Sequence, residues 1–266
     1  MRAHEQADEV ELYADPKVYD ILHGPGTAED VDAIERIERR WAEGAPEVWL
    51  EPACGSGRYL RVAAKRGRRV VGFDLSSGMI GYAQDRMTRL GLDSRASLFI
   101  ADMCRFAERV EPGSIGVAFN LINTVRHLGT DRDVLRHFDE VARCLDTRGV
   151  YAVGISLTVF GLEPPSEDHW MGRRGRCEVV QHIQYMPPLD PMGDRREQVY
   201  SHVTVTRPSG ETHQPSNYWL RAYDLDQWRD VIDRSCLTVR GVVDAEGVPC
   251  EPTAPGYAIW VLGREG

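Results

Sequence analysis

The chain has 266 residues, enough for one large α/β domain that carries an insertion. Its 32 lysines and arginines are outnumbered by 41 aspartates and glutamates, and the net charge of −9 argues against nucleic acid as a partner. The longest apolar run, 150–162, contains Gly154, Ser156 and Thr158 and is too short to cross a membrane as a helix. The first eight residues carry no export or organelle signal, so we expect a cytoplasmic protein that acts away from membranes.

Six cysteines are spread through the sequence without a C-x-x-C pair. The two that lie nearest to each other, Cys236 and Cys250, are 14 residues apart. We therefore expect neither a disulfide framework nor a bound metal.

Residues 1–46 are predicted to form a helical lid. A short helix over Val18–Leu22 contains Tyr19 beside an aspartate. A longer amphipathic helix is predicted over Thr27–Glu43, because apolar residues recur there at helical spacing, and its first residue with Asp30 matches a capping box. Ordinary packing of both helices is the open alternative to a role at a functional site.

From residue 47 onward, short apolar runs alternate with longer helical patterns, which is typical of βαβ units and a parallel sheet. Nearly continuous apolar runs suit strands that are buried on both faces. Five strands are predicted in this core domain, 47–157, over Val48–Glu51, Val70–Asp74, Leu98–Ala101, Val117–Asn120 and Val150–Leu157. The helices between them are predicted over Arg58–Arg66, Gly78–Leu90 and Arg132–Leu145.

The pattern changes after residue 157, where alternating segments predict an antiparallel β cap at 158–222. These segments are Arg176–Tyr185, Glu197–Thr206 and Thr212–Tyr223, and the last two are joined by a turn at Pro208-Ser209-Gly210. The core pattern resumes over 223–266 with a helix that Asp224 and Gln227 cap. Two final strands are predicted over Thr238–Val243 and Tyr257–Leu262.

The first turn of the core domain, Glu51–Gly57, reads as a strand end, a glycine-rich turn and a helix start. Such a turn lets a ligand approach the backbone N–H groups at a helix N-terminus. The pyrophosphate of a dinucleotide would face the like charge of Glu51, at a cost of roughly 4 kcal/mol at 4 Å and ε ~20. The third small residue of a dinucleotide motif is also missing, because Leu60 stands there. The ammonium and sulfonium of S-adenosylmethionine suit an acid at this strand end.

Two further acids follow the next two predicted strands. Asp74 ends the second apolar run, and Asp102 follows the third. Because the carboxyl ends of parallel strands share one edge of the sheet, where open α/β folds bind ligands, we expect both acids to lie near Glu51. Asp74 is then suited to accept from ribose hydroxyls and Asp102 from the adenine amine. A solvated loop carboxylate explains any one of the three acids, but the three together favour a nucleoside site.

The motif Glu51-Pro52-Ala53-Cys54-Gly55-Ser56-Gly57, with Asp74 and Asp102, resembles that of class I S-adenosylmethionine-dependent methyltransferases of the small-molecule type. The resemblance covers 47–157 and the C-terminal helix with its two strands. It implies a Rossmann-like α/β fold, with a seven-stranded mostly parallel sheet that has one antiparallel strand, plus the β cap. Ala53 departs from the pattern, because many members have a glycine there.

The resemblance also implies S-adenosylmethionine as the cofactor. The first motif would contact its methionine moiety, the second acid its ribose, and the third acid with the following residue its adenine. The implied cofactor-binding residues are Glu51, Ala53, Gly55, Gly57, Asp74, Leu75, Met79, Asp102, Met103, Asn120 and Leu121.

Methyl transfer is a direct in-line displacement, so alignment of the reactants supplies much of the rate. His127 follows the fourth strand, and its ordinary pKa near working pH makes it the candidate base for a protonated acceptor, with a structural role as the alternative. Tyr19 is the second candidate catalytic residue, which would close over the cofactor or bind the acceptor, and packing alone explains it equally well. The N/D-P-P-Y/F signature of nucleic-acid amino-methyltransferases is absent, which favours a small-molecule acceptor.

Aromatic and cationic side chains of the cap are candidates for an acceptor pocket, although the cap hairpins could equally form a dimer surface. These side chains belong to Trp170, Arg173, Arg174, Tyr185, Tyr218 and Arg221. A run of bases is expected instead on the exposed face and C-terminal end of the first core helix. This run comprises Arg58, Arg61, Lys65, Arg66, Arg68 and Arg69.

These patterns predict an enzyme that moves a methyl group from S-adenosylmethionine to an oxygen or nitrogen of a small molecule. It is expected to act as a monomer or homodimer, without nucleic acid or membrane. Two alternatives remain open. One is a protein that binds S-adenosylmethionine without transferring its methyl group, and the other is a nicotinamide-dependent oxidoreductase.

Overall fold

Two β-sheets organise residues 15–264, which are the residues that the computed structural model describes. The strands are β1 (Val48–Pro52), β2 (Arg69–Asp74), β3 (Ala96–Ile100), β4 (Ile115–Asn120), β5 (Leu145–Leu157), β6 (Ser166–Arg174), β7 (Cys177–Met186), β8 (Arg196–Arg207), β9 (Gly210–Arg221), β10 (Leu237–Val243) and β11 (Gly256–Arg264). The α-helices are α1 (Pro16–Leu22), α2 (Thr27–Trp41), α3 (Arg58–Lys65), α4 (Ser77–Arg89), α5 (Asp131–Cys144) and α6 (Leu225–Asp233). The first 14 residues of the predicted lid lie outside the described residues.

The larger sheet has seven strands in the order β10-β11-β5-β4-β1-β2-β3. Strand β11 is antiparallel to both of its neighbours, and the other neighbouring pairs are parallel. The predicted fold class, with one reversed strand in a mostly parallel sheet, is therefore confirmed. The strand order reverses between β1 and β4, so a crevice opens at their carboxyl ends, where such folds bind ligands.

Helices cover both faces of this sheet. On one face, α5 and α6 pack against the strands in a core that includes the fully buried Phe138. On the other face, α2, α3 and α4 pack in a second core around Ile34. Adjacent β1 residues divide between the two cores, with Leu50 in the first and Trp49 in the second, as the two-residue period of a strand requires.

Helix α2 is part of the layer that packs on the sheet, because Val31, Ile34 and Ile37 have no exposed surface. The predicted capping box at its start is wrong. The N-cap residue is Gly26, which makes no side-chain cap hydrogen bond. The Thr27 hydroxyl instead donates to the carbonyl oxygen of Gly24 over 2.7 Å, so it closes the preceding turn.

The smaller sheet is an antiparallel cap of four strands in the order β6-β7-β8-β9. The three predicted alternating segments are confirmed as β7, β8 and β9, and a tight turn joins β8 to β9 where it was expected. Strand β6 was not predicted, because most of its side chains are exposed and no apolar alternation marks it. Helix α1 packs on the inner face of this sheet, with Ile21 in one cluster with Val179 and Val203.

The C-terminal helix begins as expected. Asp224 accepts a hydrogen bond from the backbone N–H of Gln227, and the Gln227 side chain accepts one from the backbone N–H of Asp224. All six cysteines are free. Within residues 15–264, no helix has the length and apolar character needed to cross a membrane.

A buried ion pair joins the cap to the large sheet. Arg126 lies in the single helical turn Thr124–His127 that follows β4, and Glu197 lies on β8. Their side chains meet over 2.7 Å, and both are almost completely buried. The Arg126 guanidinium also donates to the backbone carbonyl of Arg221 over 2.8 Å. These contacts fix the position of the cap over the carboxyl ends of β1 and β4.

Replacement of Arg126 by methionine leaves Glu197 buried without its cation. We expect the free energy of unfolding to fall by about 3–5 kcal/mol, as measured by urea unfolding followed by tryptophan fluorescence. The double variant Arg126→Met/Glu197→Leu should recover most of this loss, because apolar groups of similar volume replace both charges. The control is Arg89→Met, which removes a largely exposed pair with Asp85. Equal stabilities of Arg126→Met and this control would contradict the prediction.

Candidate active site

The turn between β1 and α3 has a left-handed backbone at three positions, with φ of 51° at Ala53, 51° at Gly55 and 67° at Gly57. Glycine adopts this conformation without steric cost. A Cβ at Gly57 would also come within 3.1 Å of the Cβ of Ala83 on α4. The turn therefore requires its glycines, and it places the N-terminus of α3 next to the ends of β1 and β2.

Glu51, at the end of β1, is only 6% exposed, and its Oε2 atom is buried with no hydrogen-bond partner among the described residues. Burial raises the pKa of Glu51 well above its ordinary value, and the nearby charge of Asp74 raises it further, against an opposing effect of Arg58. A buried carboxyl group without a partner is costly unless a ligand satisfies it. The position suits a ligand that carries a positive charge.

Asp74, at the end of β2, holds the turn in place. Its Oδ2 accepts a hydrogen bond from the backbone N–H of Gly55 over 2.8 Å, and its Oδ1 accepts one from Ser76 over 2.9 Å. Burial raises the pKa of Asp74, and these backbone hydrogen bonds oppose that effect. Next to it, Leu75 is 70% exposed at the strand end, whereas Met79 is buried in the first turn of α4.

Asp102 lies in the loop after β3, where its side chain is exposed and accepts a hydrogen bond from the backbone N–H of Cys104 over 2.6 Å. The following residue, Met103, packs partly against the core. Its carbonyl oxygen lies 3.0 Å from Nδ1 of His137. The three predicted acids thus lie at the carboxyl ends of the three adjacent strands β1, β2 and β3. Their contacts with a cofactor stay predictions.

Asn120, the last residue of β4, is buried and bridges two strands. Its Nδ2 donates to the carbonyl oxygen of Pro52 over 2.6 Å, and its Oδ1 lies 2.7 Å from the hydroxyl of Tyr151. That hydroxyl also lies 2.9 Å from Nε2 of His137. Asn120 therefore joins the ends of β4 and β1, and a chain of buried contacts continues from it to Met103.

A cavity of about 120 Å³ lies between the cap and the ends of β1 and β4. Six of the predicted site residues line it, namely Tyr19, Glu51, Ala53, Asn120, Leu121 and His127. The others do not line it, namely Gly55, Gly57, Asp74, Leu75, Met79, Asp102 and Met103. The second group belongs to the turn after β1 and to the ends of β2 and β3, so the predicted adenosine contacts lie beside the cavity. Of the predicted methionine contacts, Glu51 and Ala53 line the cavity, whereas Gly55 and Gly57 do not.

The cap forms the opposite wall of the cavity. Its lining residues are Trp170, Gln181, Ile183, Tyr185, Tyr218 and Leu220. The expectation of an aromatic wall thus agrees with the structure, but the cap arginines do not line the cavity. Arg174 instead binds Asp20 over 2.7 Å, and Arg221 binds Asp131 over 2.9 Å.

The two candidate catalytic side chains are both uncharged at neutral pH. Burial, together with the charge of Arg126, lowers the pKa of His127 to about 4. Its imidazole ring stacks on Tyr218 with ring centroids 5.9 Å apart. Burial raises the pKa of Tyr19 to about 12, and its ring lies 4.4 Å from that of His23. His127 therefore presents a neutral imidazole and Tyr19 a neutral phenol.

The lining residues that were not predicted at the site include His23, Arg58 and Gln181. The prediction that the basic run decorates an exposed face is wrong for Arg58 and Arg61, which are 6% and 9% exposed. Arg58 donates to the Thr27 hydroxyl over 2.9 Å and lies 3.5 Å from Asp30. The acidic N-terminal helices supply the partners that allow these arginines to be buried. For Gln181 a signal was present, since it occupies an inward position of β7 between Val179 and Ile183.

Asp20 fastens helix α1 over the site. This fully buried carboxylate accepts hydrogen bonds from Ser56 in the turn (2.8 Å), from Tyr82 on α4 (2.8 Å) and from Arg174 on β6 (2.7 Å), and it is ion-paired with Arg61 on α3. Burial alone would raise its pKa, but Arg61 and the hydrogen bonds from the other partners lower the pKa of Asp20 to about 2. Helix α1 is thus held by charge as well as by packing.

Replacement of Asp20 by asparagine leaves Arg61 buried without its anion, so α1 should open more often. We expect backbone amides of 16–22 to exchange with deuterium about 100-fold faster, while amides of β1 and β4 keep their protection. In the wild type, because the folded pKa lies below the ordinary value near 4, the stabilisation is complete above pH 4 and is lost as the pH falls through about 2.

The control for this experiment is Asp32→Asn, which removes a half-exposed pair with Arg66 on the outer side of α2. This variant should exchange like the wild type in α1. Equal exchange in α1 of Asp20→Asn and the control would show that Asp20 does not hold the helix.

Residues 50–149 match a family model whose description is "Methyltransferase domain". Among curated proteins, the putative methyltransferase YqeM of Bacillus subtilis (strain 168) is 29% identical over 114 residues. This match covers 42% of the present chain and 44% of YqeM, so it spans less than half of that relative.

Two solved structures resemble almost the whole chain. An S-adenosylmethionine-dependent methyltransferase from Clostridium acetobutylicum ATCC 824 has a TM-score of 0.74 and 15% identity, over 94% of this chain and 97% of that one. The sugar N-methyltransferase KedS8 from Streptoalloteichus sp. ATCC 53650 has a TM-score of 0.69 and 18% identity, over 94% of each chain. At these identities the likeness establishes a shared fold, with the cap included in the length covered.

Proposed function

We propose that the chain, whose residues 50–149 match a methyltransferase-domain family model and whose fold is shared with an S-adenosylmethionine-dependent methyltransferase, transfers a methyl group from S-adenosylmethionine to an oxygen or nitrogen of a small molecule. The observation that carries the proposal is the buried, unpartnered Oε2 atom of Glu51 at the end of β1. An ammonium group would supply its missing partner. A diphosphate at the same point would face like charge.

The residues at the sheet edge fit this cofactor. We assign Glu51 to its ammonium group, the turn of Ala53, Gly55 and Gly57 to its methionine end, and Asp74 to its ribose hydroxyls. The adenine would lie against a third group of residues, consisting of Leu75, Met79, Asp102 and Met103. When bound, S-adenosylmethionine supplies an electrophilic methyl group on a sulfonium centre.

The residues of the cavity would orient the acceptor and handle its proton. Because direct displacement requires the acceptor atom, the methyl carbon and the sulfur in line, the enclosed space between the cap and β4 supports alignment as the main source of rate. His127 would accept a hydrogen bond from the acceptor, since its low pKa keeps the imidazole neutral at neutral pH. Tyr19 would donate a hydrogen bond through its phenol group.

The acceptor we propose is a small molecule with a ring that bears a hydroxyl or amino group. The aromatic side chains of Trp170, Tyr185 and Tyr218 in the cavity wall support a ring-sized occupant. KedS8, which shares the fold, is a sugar N-methyltransferase. The net charge of −9 supports a free small molecule over nucleic acid, and we propose a cytoplasmic protein that acts as a monomer or homodimer.

Replacement of Glu51 by glutamine should weaken binding of S-adenosylhomocysteine by about 10- to 100-fold, because a charge-assisted hydrogen bond is lost. Burial raises the pKa of Glu51 in the empty site, whereas the ligand's ammonium favours the carboxylate. Binding should therefore favour proton release, and affinity should rise as the pH increases above the ordinary pKa of a glutamate. Calorimetry in two buffers of different ionisation enthalpy measures both effects.

The control is Glu47→Gln, an exposed acid just before the opposite end of β1, which should bind like the wild type. Proton release that persists in Glu51→Gln would remove Glu51 from the cofactor site. A wild-type protein that binds a nicotinamide dinucleotide but no S-adenosylhomocysteine would overturn the proposed function in favour of an oxidoreductase.

Replacement of His127 by asparagine should lower the turnover number by about 100-fold while the affinity for S-adenosylhomocysteine changes less than about 3-fold. Transfer of a labelled methyl group from S-adenosylmethionine to a panel of hydroxylated and amino ring compounds measures the first effect. Because the pKa of His127 is about 4, its protonation should cause no loss of wild-type activity between pH 8 and 6.

His169→Asn, an exposed histidine on the outer side of the cap, serves as the control and should keep full activity. Equal losses of turnover and cofactor affinity in His127→Asn would indicate a folding role. Tight cofactor binding with no transfer to any member of a broad panel would indicate a binding protein without transferase activity.

A further inference from the structure

Gln181 is a polar residue on the inner, apolar face of the cap. It lies on β7 between the buried residues Val179 and Ile183, and it is only 1% exposed. Its Nε2 donates to the hydroxyl of Ser201 on β8 over 2.8 Å. The neighbouring strand therefore fixes the orientation of the amide, and the side chain lines the cavity beneath the cap.

The carbonyl half of the Gln181 amide has no hydrogen-bond partner in the part of the chain that the structure describes. Its Oε1 atom is buried and accepts no hydrogen bond from the described residues. A buried amide oxygen left unpaired reduces stability, and such groups in native proteins call for an explanation. Among the residues that line the cavity, only Glu51 shares this condition, and its unpartnered atom is also an oxygen. The cavity thus offers two unmet acceptors, one on the core side and one on the cap side.

The charged groups next to the cap wall of the cavity are paired with each other. None of the cap residues that line the cavity is an aspartate, glutamate, lysine or arginine. The buried Arg126 and Glu197, which influence the neighbouring Tyr218, are paired with each other over 2.7 Å. An anionic group at this wall would find no cation of its own, whereas a neutral or cationic group with hydrogens to donate would satisfy Gln181.

We propose that Gln181 is the specificity-determining residue of the acceptor site, where its Oε1 accepts a hydrogen bond from a second hydroxyl or amino group on the ring that is methylated. The cap then selects ring compounds with two hydrogen-bond donors, one at the methylated atom and one facing Gln181. Trp170, Tyr185 and Tyr218 contact the ring itself. This inference rests on the proposed function, since it assigns the cap wall to the acceptor.

The probes are the 2-, 3- and 4-isomers of trans-aminocyclohexanol, which carry two donors at different spacings, with cyclohexylamine and cyclohexanol as single-donor references. Their binding to the protein saturated with S-adenosylhomocysteine is measured by saturation-transfer NMR. We expect at least one isomer to bind about 5-fold or more tightly than both references. In Gln181→Met this preference should disappear, while the affinity for S-adenosylhomocysteine stays within about 2-fold of the wild type.

Gln184→Met is the matched control, because Gln184 lies on the same strand but is exposed and bonded to Glu167 over 2.7 Å. It should keep the full preference. A second variant, Gln181→Met/Ser201→Ala, tests for a merely structural role. It replaces both hydrogen-bonded partners with apolar groups, so its urea midpoint should equal or exceed that of the wild type while the preference is absent.

Each outcome decides between the two proposals. Failure of the wild type to bind S-adenosylhomocysteine overturns the proposed function, and this inference with it. Cofactor binding without any preference among the probes, or a preference that survives in Gln181→Met, overturns the role of Gln181 alone. A large fall in the urea midpoint of the double variant would assign the residue to folding instead.

Discussion

The carboxylate of Asp20, on helix α1, joins that helix to four other elements of the site. It has no exposed surface, and its partners come from the turn after β1, from α3, from α4 and from the cap strand β6. Two arginines balance one acid there, and the pKa of about 2 keeps it ionised. Helix α1 therefore lies across the turn, and a Cβ atom at Gly55 would come within 3.2 Å of the Tyr19 ring. The cavity exists because this helix and the cap are both fixed in place.

The oxygen atoms of Asp20 are hydrogen-bonded, whereas, among the residues that the structure describes, two oxygen atoms that line the cavity are not. Glu51 and Gln181 are buried as deeply as the residues that stabilise the fold, yet within residues 15–264 one oxygen atom of each has no hydrogen-bond partner. Such groups lower the stability of the empty protein, and a ligand that satisfies them recovers that free energy as affinity. Two unpaired hydrogen-bond acceptors on opposite walls favour ligands that donate hydrogen bonds at two points. The cofactor would donate to Glu51, and the molecule that is methylated would donate to Gln181.

Much of the fold was predictable, because buried parallel strands need apolar side chains on both faces. Strands β1 and β4 and most of β5 follow that rule, and β6 was not predicted because its exposed side chains carry no such pattern. The acids at the strand ends were predictable for a related reason, since topology brings those ends together. The burial of Arg58 was not predictable from local sequence, because its partner Asp30 lies on a helix that precedes it by about 30 residues. Gln181 was missed because its role depends on which face of β7 meets the cavity, and the lowered pKa of His127 depends on packing that no local pattern encodes.

The chain of buried contacts from Pro52 through Asn120, Tyr151 and His137 to Met103 has a consequence for the two ends of the cofactor cleft. Four contacts need four hydrogens, but the amide, the phenol and a neutral imidazole supply only three. Burial lowers the pKa of His137 to about 4, so the fourth hydrogen is missing at neutral pH. Protonation of His137 as the pH falls towards 4 would supply this hydrogen and complete the chain between the tip of β1 and the loop after β3.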